Sequence, residues 1–90
     1  MSGTEEKGEW VSRGYAREMG RVVSKEGEVR YGCVFDENGP KVIAYVSAYD
    51  FNEWVTPTGR RAVTAEEKQR LLAFVEREYR DAGYEVVFRH

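Results

Sequence analysis

The sequence has little of the chemistry from which most enzyme and metal sites are built. Its 90 residues include one cysteine, Cys33, and one histidine, His90. A single cysteine excludes a disulfide within the chain, and this pair of side chains cannot supply the four ligands of a structural zinc site. We therefore expect no metal-ligating residues.

Long apolar runs and an excess of charge of one sign are also missing. No segment approaches the roughly 20 apolar residues of a membrane span, and no secretory signal is visible. The 14 basic and 16 acidic side chains give a net charge of −2 and are spread evenly along the chain. No block is basic enough for a nucleic-acid tail or a membrane anchor. The expected location is the cytoplasm, with no membrane partner.

The strongest positive signal is a helix over residues 64–82. Thr64 followed three residues later by Glu67 forms a capping box, in which each side chain accepts a hydrogen bond from the other residue's backbone N–H. Gly83 supplies the left-handed residue that commonly ends a helix. Apolar residues recur at helical spacing between these ends, so one side of the helix is expected to lie on a sheet.

Period-two alternation predicts that sheet. The predicted strands are one or two within residues 10–24, broken near Gly14 or Gly20, followed by residues 29–36, 41–50 and 84–90. Residues 41–50 are apolar on both faces and are expected in the middle of the sheet. Residues 51–62 contain Asn, Pro and Gly and are predicted to form an irregular loop.

Together these elements predict an α+β fold. We expect a two-layer sandwich of an antiparallel sheet with four to five strands, one helix across it, and a final strand after the helix. Residues 1–8 are predicted to be a disordered tail and residues 9–90 a single domain, since a chain of this length has room for one core. An exposed edge strand would allow two copies to form a homodimer.

The candidate residues for catalysis are few. Cys33 lies in the middle of a predicted strand, on its apolar side, where it is expected to be a small core residue without a base to activate it. Asp36 and Glu37 are adjacent in a turn and lack the spaced oxygen ligands of a calcium loop. There is no glycine-rich phosphate loop. We expect no catalytic residues and no cofactor, and the protein is predicted not to be an enzyme.

Nucleic-acid binding is the first alternative. Arginines alternate with an aromatic residue along one predicted strand face, as on a platform for single strands; the residues are Arg13, Tyr15, Arg17, Arg21 and, on a neighbouring strand, Arg30. Acidic residues lie nearby, and the net charge is negative. Because phosphate binding depends on positive potential, we favour a solvated sheet face and do not expect a nucleic-acid partner.

Aromatic residues and charges of both signs come together between the longest predicted strand and the helix. Large rigid rings inside a polar rim are typical of protein-binding hot spots. The same residues would equally fit a loop that seals one end of the core, with Phe51 or Trp54 buried. The predicted partner-binding residues are Tyr49, Asp50, Glu53, Trp54, Arg60 and Arg61.

Several short motifs follow one another in a set order: residues 11–14, 20–21, 26–28 and 42–49, then Trp54-x-x-Pro57, then the capped helix and a terminal Gly-x-x-Val-x-Phe strand. This order resembles that of a family of small bacterial immunity proteins of polymorphic toxin systems. The resemblance implies a protein that binds and silences a cognate toxin. It transfers only Trp54 and Pro57, as structural markers.

We therefore expect a non-enzymatic protein-binding module, an immunity protein that neutralises a cognate bacterial toxin by direct binding. The alternatives are a small sheet-based domain that binds single-stranded nucleic acid, and an engineered or orphan domain without a natural partner.

Overall fold

A computed structural model describes residues 10–16 and 18–90, with the side chains of Trp10 and of residues 18–90. The predicted disordered tail, residues 1–8, lies outside the described residues. Within them the elements are β1 (Val11–Ala16), β2 (Met19–Ser24), β3 (Gly27–Asp36), β4 (Ile43–Ser47), a 3-10 turn (Ala48–Asp50), β5 (Glu53–Thr56), β6 (Gly59–Ala62), α1 (Ala65–Asp81) and β7 (Glu85–Arg89). The predicted α+β class with one helix is confirmed for this part of the chain.

The first three strands form an antiparallel meander. β1 pairs with β2 and β2 with β3, in registers that include Gly14 opposite Gly20 and Arg21 opposite Arg30. Both glycines lie within strands, and the break between the two strands comes just before Gly20, between Ala16 and Met19. β2 begins after Glu18, a non-glycine residue with φ of +61°. Gly27 has φ of +148° at the start of β3, a conformation that glycine adopts without steric cost.

β3 is the strand that curls the sheet, because its two halves have different neighbours. Residues 27–32 pair with β2, whereas residues 33–36 pair with β4. β5 joins β3 at one position, Glu28 opposite Val55. The main strand order is β1-β2-β3-β4-β7, and the β5–β6 hairpin branches from β3.

The sheet is mixed, so the prediction of an antiparallel sheet is wrong at its last strand. β4 lies inside the sheet, as expected, but β7 pairs with it in parallel, with Tyr45 opposite Val87. The reason is the connection between them. After β4 the chain forms the β5–β6 hairpin and then α1, and α1 runs back along the sheet. β7 therefore starts at the same end of the sheet as β4 and runs parallel to it, as in a strand–helix–strand crossover.

Residues 51–62 are not the irregular loop that their composition predicts. They form a hairpin in which Glu53 pairs with Ala62 and Thr56 with Gly59, around a turn at Pro57 and Thr58. Pro57 lies in the turn itself, where its missing N–H removes no ladder hydrogen bond. Gly59 takes φ of +144° where β6 begins.

The helix has the ends that the sequence predicts. The Thr64 hydroxyl accepts from the Glu67 N–H at 3.1 Å, and the Glu67 carboxylate accepts from the Thr64 N–H at 3.0 Å. Gly83 has φ of +98° just beyond the last turn. The capping box and the glycine are confirmed. In the part of the chain that is described, no helix is long and apolar enough to cross a membrane.

The core lies between the curled sheet and α1. Phe35, which the alternation of β3 places with the apolar residues, is 42% exposed, although its ring contacts those of Tyr79 and Tyr84. Tyr31 stacks on Phe51 with ring centroids 4.9 Å apart. The buried cluster consists of Val22, Val29, Tyr31, Cys33, Ala44, Val46, Phe51, Trp54, Leu71 and Val75.

Replacing Thr64 with alanine should lower the free energy of unfolding by about 1 kcal/mol, because the hydroxyl that accepts from the Glu67 N–H is lost. Chemical denaturation measures the change. Thr64→Ser keeps the acceptor and should stay close to wild type. Equal stabilities for Thr64→Ala and wild type would contradict the role of the cap.

Candidate protein-binding surface

The six predicted partner-binding residues lie on two different sides of the β5–β6 hairpin. In the hairpin register Trp54 is opposite Arg61, and Val55 is opposite Arg60. Because successive side chains of a strand point to opposite faces, Trp54 and Arg61 share one face, and Glu53, Val55 and Arg60 share the other. We call these the inner face and the outer face of the hairpin.

The inner face packs against the beginning of α1. The Trp54 side chain is 1% exposed, and its indole Nε1 donates to Glu67 Oε1 at 3.2 Å. The Arg61 guanidinium lies 5.6 Å from the Trp54 ring centroid. It pairs with Glu67 Oε2 at 3.3 Å and with Glu26 Oε1 at 2.7 Å. Trp54 therefore belongs to the core in this structure, and Arg61 covers its ring.

The Glu67 carboxylate is the common acceptor of these contacts. Its pKa lies below the ordinary value, first because the Thr64 N–H donates to it, and further because Arg61 and Trp54 also donate. Partial burial acts in the opposite direction. The carboxylate therefore stays ionised near neutral pH and ties the hairpin to the helix.

The outer face borders a cleft of about 340 Å³. Arg60 Nη1 pairs with Glu53 Oε1 at 3.1 Å, and both side chains are at least half exposed. Asp50 Oδ2 accepts a hydrogen bond from the Gly32 N–H at 2.8 Å, which fixes the Asp50 side chain to β3. Gly32 lies between Glu28, which pairs with β5, and residues 33–36, which pair with β4. The residues around the cleft are Arg30, Asp50, Asn52, Glu53, Val55 and Arg60.

Tyr49 lies in the 3-10 turn directly before Asp50 and is 55% exposed. Its backbone carbonyl accepts from Asn52 Nδ2, at 2.5 Å, and Asn52 lines the cleft. Its phenol oxygen accepts from the Ser47 hydroxyl at 3.3 Å, which holds the ring near the end of β4. An exposed aromatic residue thus directly precedes Asp50, one of the residues that line the cleft. We call Tyr49, Asp50, Glu53 and Arg60 the outer surface.

Sequence reasoning missed Arg30 and Asn52 as neighbours of this surface. Arg30 comes from β3, and its place beside the hairpin depends on the contact of Glu28 with Val55, which no local pattern encodes. The division into inner and outer faces could have been predicted from the sequence. Alternation along residues 53–56 and 59–62, once recognised as strands, separates Trp54 from Glu53.

A second concavity, of about 510 Å³, lies on the inner side. Trp10 packs edge-on against Phe74 at 5.6 Å and tilts against Trp54 at 6.2 Å, while Arg70 lies 5.7 Å from the Trp10 ring. Through these contacts Trp10 packs against the core beside Trp54 and Phe74. Among the described residues no group of three side chains could hold a metal ion.

Cys33 is 2% exposed, as its place on the apolar side of β3 predicts. Burial raises the pKa of its thiol, and a weaker hydrogen bond with Tyr79 acts the other way. Little thiolate is therefore present at neutral pH, and neither nucleophilic attack nor oxidation is favoured.

Cys33 should accordingly react slowly with a thiol reagent in the folded protein and rapidly after denaturation. Val34→Cys is a matched comparison, because the next side chain along the strand is 46% exposed and should label quickly. Labelling of Cys33 in the native wild type as fast as that of the new thiol would contradict its burial.

No protein-family model, curated protein or solved structure matches this chain.

Proposed function

We propose that this protein is a non-enzymatic binding module, an immunity protein that neutralises a cognate bacterial toxin by direct contact. The observation that carries the proposal is the outer surface. Tyr49 is exposed and directly precedes Asp50 in the chain, and Asp50, Glu53 and Arg60 line one cleft. An exposed aromatic residue in the same segment as exposed charges of both signs suits recognition of another protein.

The scaffold behind this surface supports the proposal. The inner face of the hairpin is fixed to α1 through Trp54 and Glu67, and Asp50 is fixed to β3 through the Gly32 N–H. Binding therefore requires little ordering of the backbone at this site, which lowers the entropic cost of association. The resemblance to immunity proteins adds the class of partner, a toxin.

The two arginines of the alternative nucleic-acid face that are described have acidic neighbours. Arg21 Nη1 pairs with Glu28 Oε1 at 3.1 Å, and Arg30 Nε pairs with Glu28 Oε2. The side chains of Arg13, Tyr15 and Arg17 lie outside the described residues. Partial neutralisation by Glu28 and a net charge of −2 favour the protein-binding function over this one.

The main test reverses the outer ion pair with Glu53→Arg and Arg60→Glu in one chain. An exposed pair contributes about 0–1 kcal/mol, and reversal preserves its attraction, so the melting temperature should change little. Association with a toxin encoded next to the gene should slow by about tenfold at low salt, and its salt dependence should change, because the rim charges now oppose those of the partner.

A matched control reverses Glu76 and Arg80, an exposed ion pair at 2.9 Å on the solvent side of α1. This variant should bind at the wild-type rate. If the folded Glu53/Arg60 variant protects cells from the toxin and associates as fast as the control, the outer surface is not the interface.

For the alternative function we expect an absence of binding. A fluorescent single-stranded DNA of mixed sequence should show negligible affinity at physiological salt. Micromolar binding that weakens steeply with salt and disappears when Arg13, Arg17, Arg21 and Arg30 are replaced by alanine would reverse the ranking of the two functions.

A further inference from the structure

β7 is the outermost strand on one side of the sheet. It follows β4 in the strand order, and within the described part of the chain no strand pairs with its other side. It is five residues long, Glu85–Arg89, without a proline or a bulge that would block pairing. Its alternate side chains, those of Glu85, Val87 and Arg89, are exposed.

The backbone of β7 shows which groups are left for a partner. The Glu85 N–H donates to the Val42 carbonyl at 2.9 Å, so Glu85 directs its backbone toward β4. In a parallel ladder every second residue directs its N–H and C=O toward the same neighbouring strand, so Val87 and Arg89 also direct theirs toward β4. Val86 and Phe88 therefore direct two N–H and two C=O groups away from the sheet.

The sequence of the strand is complementary to itself in reverse. When two copies run antiparallel with Val87 opposite Val87, Glu85 of each copy faces Arg89 of the other. Val86 faces Phe88, and these are the two residues whose backbone groups point outward. In an antiparallel pair such residues exchange both hydrogen bonds, so all four outward groups of each strand are satisfied.

From this complementarity we propose that two copies of the chain pair through β7, antiparallel and about a two-fold axis at Val87. The occupant of the edge is a second copy of this chain. The proposal goes beyond toxin binding, because β7 is separate from the outer surface.

Opposite charges select this register over its neighbours. Shifting the axis to Val86 places Glu85 opposite Val87, and shifting it to Phe88 places Arg89 opposite Val87, so either shift loses both charge pairs. At the proposed axis the two Glu85–Arg89 contacts occupy positions without cross-strand hydrogen bonds, where side chains lie closest. The dimer therefore has one Glu85–Arg89 attraction at each end of the paired strands.

The exposed side of the sheet gives the pairing an apolar component. Val34, Tyr45 and Val87 form one row across β3, β4 and β7, and Val34 and Val87 are 46% and 42% exposed. Pairing at Val87 joins this row to its copy and covers Val87. The contact is small, so we expect a dimer that forms with increasing concentration rather than an obligate one.

Charge reversal tests both the edge and the register. Sedimentation equilibrium at low salt should show wild-type protein associating to dimers. Glu85→Arg alone and Arg89→Glu alone place like charges opposite each other at both ends, and each should raise the dimer dissociation constant by at least about tenfold. An equimolar mixture of the two single variants should dimerise again, as should the double variant, since opposite charges meet in both.

Circular dichroism and thermal melting establish that each variant is folded, and the Glu53/Arg60 reversal serves as a folded control whose self-association should equal that of wild type. Three results would each overturn the proposal: wild-type protein that remains monomeric up to about 1 mM; dimers that persist in both single variants; or a mixture that does not recover.

A cross-link provides a second test that does not depend on charge. Val87→Cys brings two thiols together at the axis, where the Cα atoms of an antiparallel pair lie about 4.5 Å apart, within disulfide range. Mild oxidation should give a covalent dimer quickly. Val34→Cys is similarly exposed on the same face but lies two strands inward, and it should cross-link slowly. Equal rates for the two would also contradict pairing at β7.

Discussion

The Glu67 carboxylate is the contact on which the arrangement of the hairpin and the helix depends. A buried indole needs an acceptor for its N–H, because an unpaired buried donor costs about 1–3 kcal/mol. Glu67 accepts from Trp54, and the same carboxylate accepts from the Thr64 N–H and from Arg61. One side chain thus serves the first turn of α1, the inner face of the hairpin and the largest buried ring of the core.

This arrangement determines which side of the hairpin is available to a partner. Since Trp54 and Arg61 are occupied by Glu67 and Glu26, the hairpin presents Glu53, Val55 and Arg60 outward. The connection to β3 through Asp50 fixes the near end of the same surface. The proposed binding surface is therefore one consequence of how the core is closed, and a partner that contacts it would meet a backbone already held in place.

The parts of the fold that were predictable from the sequence are those with local causes. Thr64, Glu67 and Gly83 act within a few residues of one another, so the helix and its ends could be placed. Cys33 lies on the apolar side of an alternating strand, so its burial could be predicted as well. The break between β1 and β2 was predicted near a glycine, but the residue with positive φ is Glu18. A non-glycine residue in this conformation has no signal in the sequence.

The parts that were not predictable depend on contacts distant in sequence. The parallel pairing of β7 follows from the path of the whole crossover, and nothing within residues 85–89 specifies it. The hairpin was obscured by its polar composition, since β6 has four exposed residues and is stabilised by β5 rather than by its own apolar pattern. The candidate surface was predicted as one group of six residues. The structure divides that group, because strand alternation places Trp54 and Arg61 opposite to Glu53 and Arg60.

The most direct test of this account is a double-mutant cycle on the free energy of unfolding, with Trp54→Phe, Glu67→Ala and the combination. Trp54→Phe removes the indole N–H, and Glu67→Ala removes its acceptor, so the cycle isolates the contact between the two residues from the packing and capping that each also loses. We predict that the double variant is less destabilised than the sum of the single variants, by about 1 kcal/mol. Effects that add within about 0.3 kcal/mol would contradict the claim that Glu67 holds the hairpin on the helix.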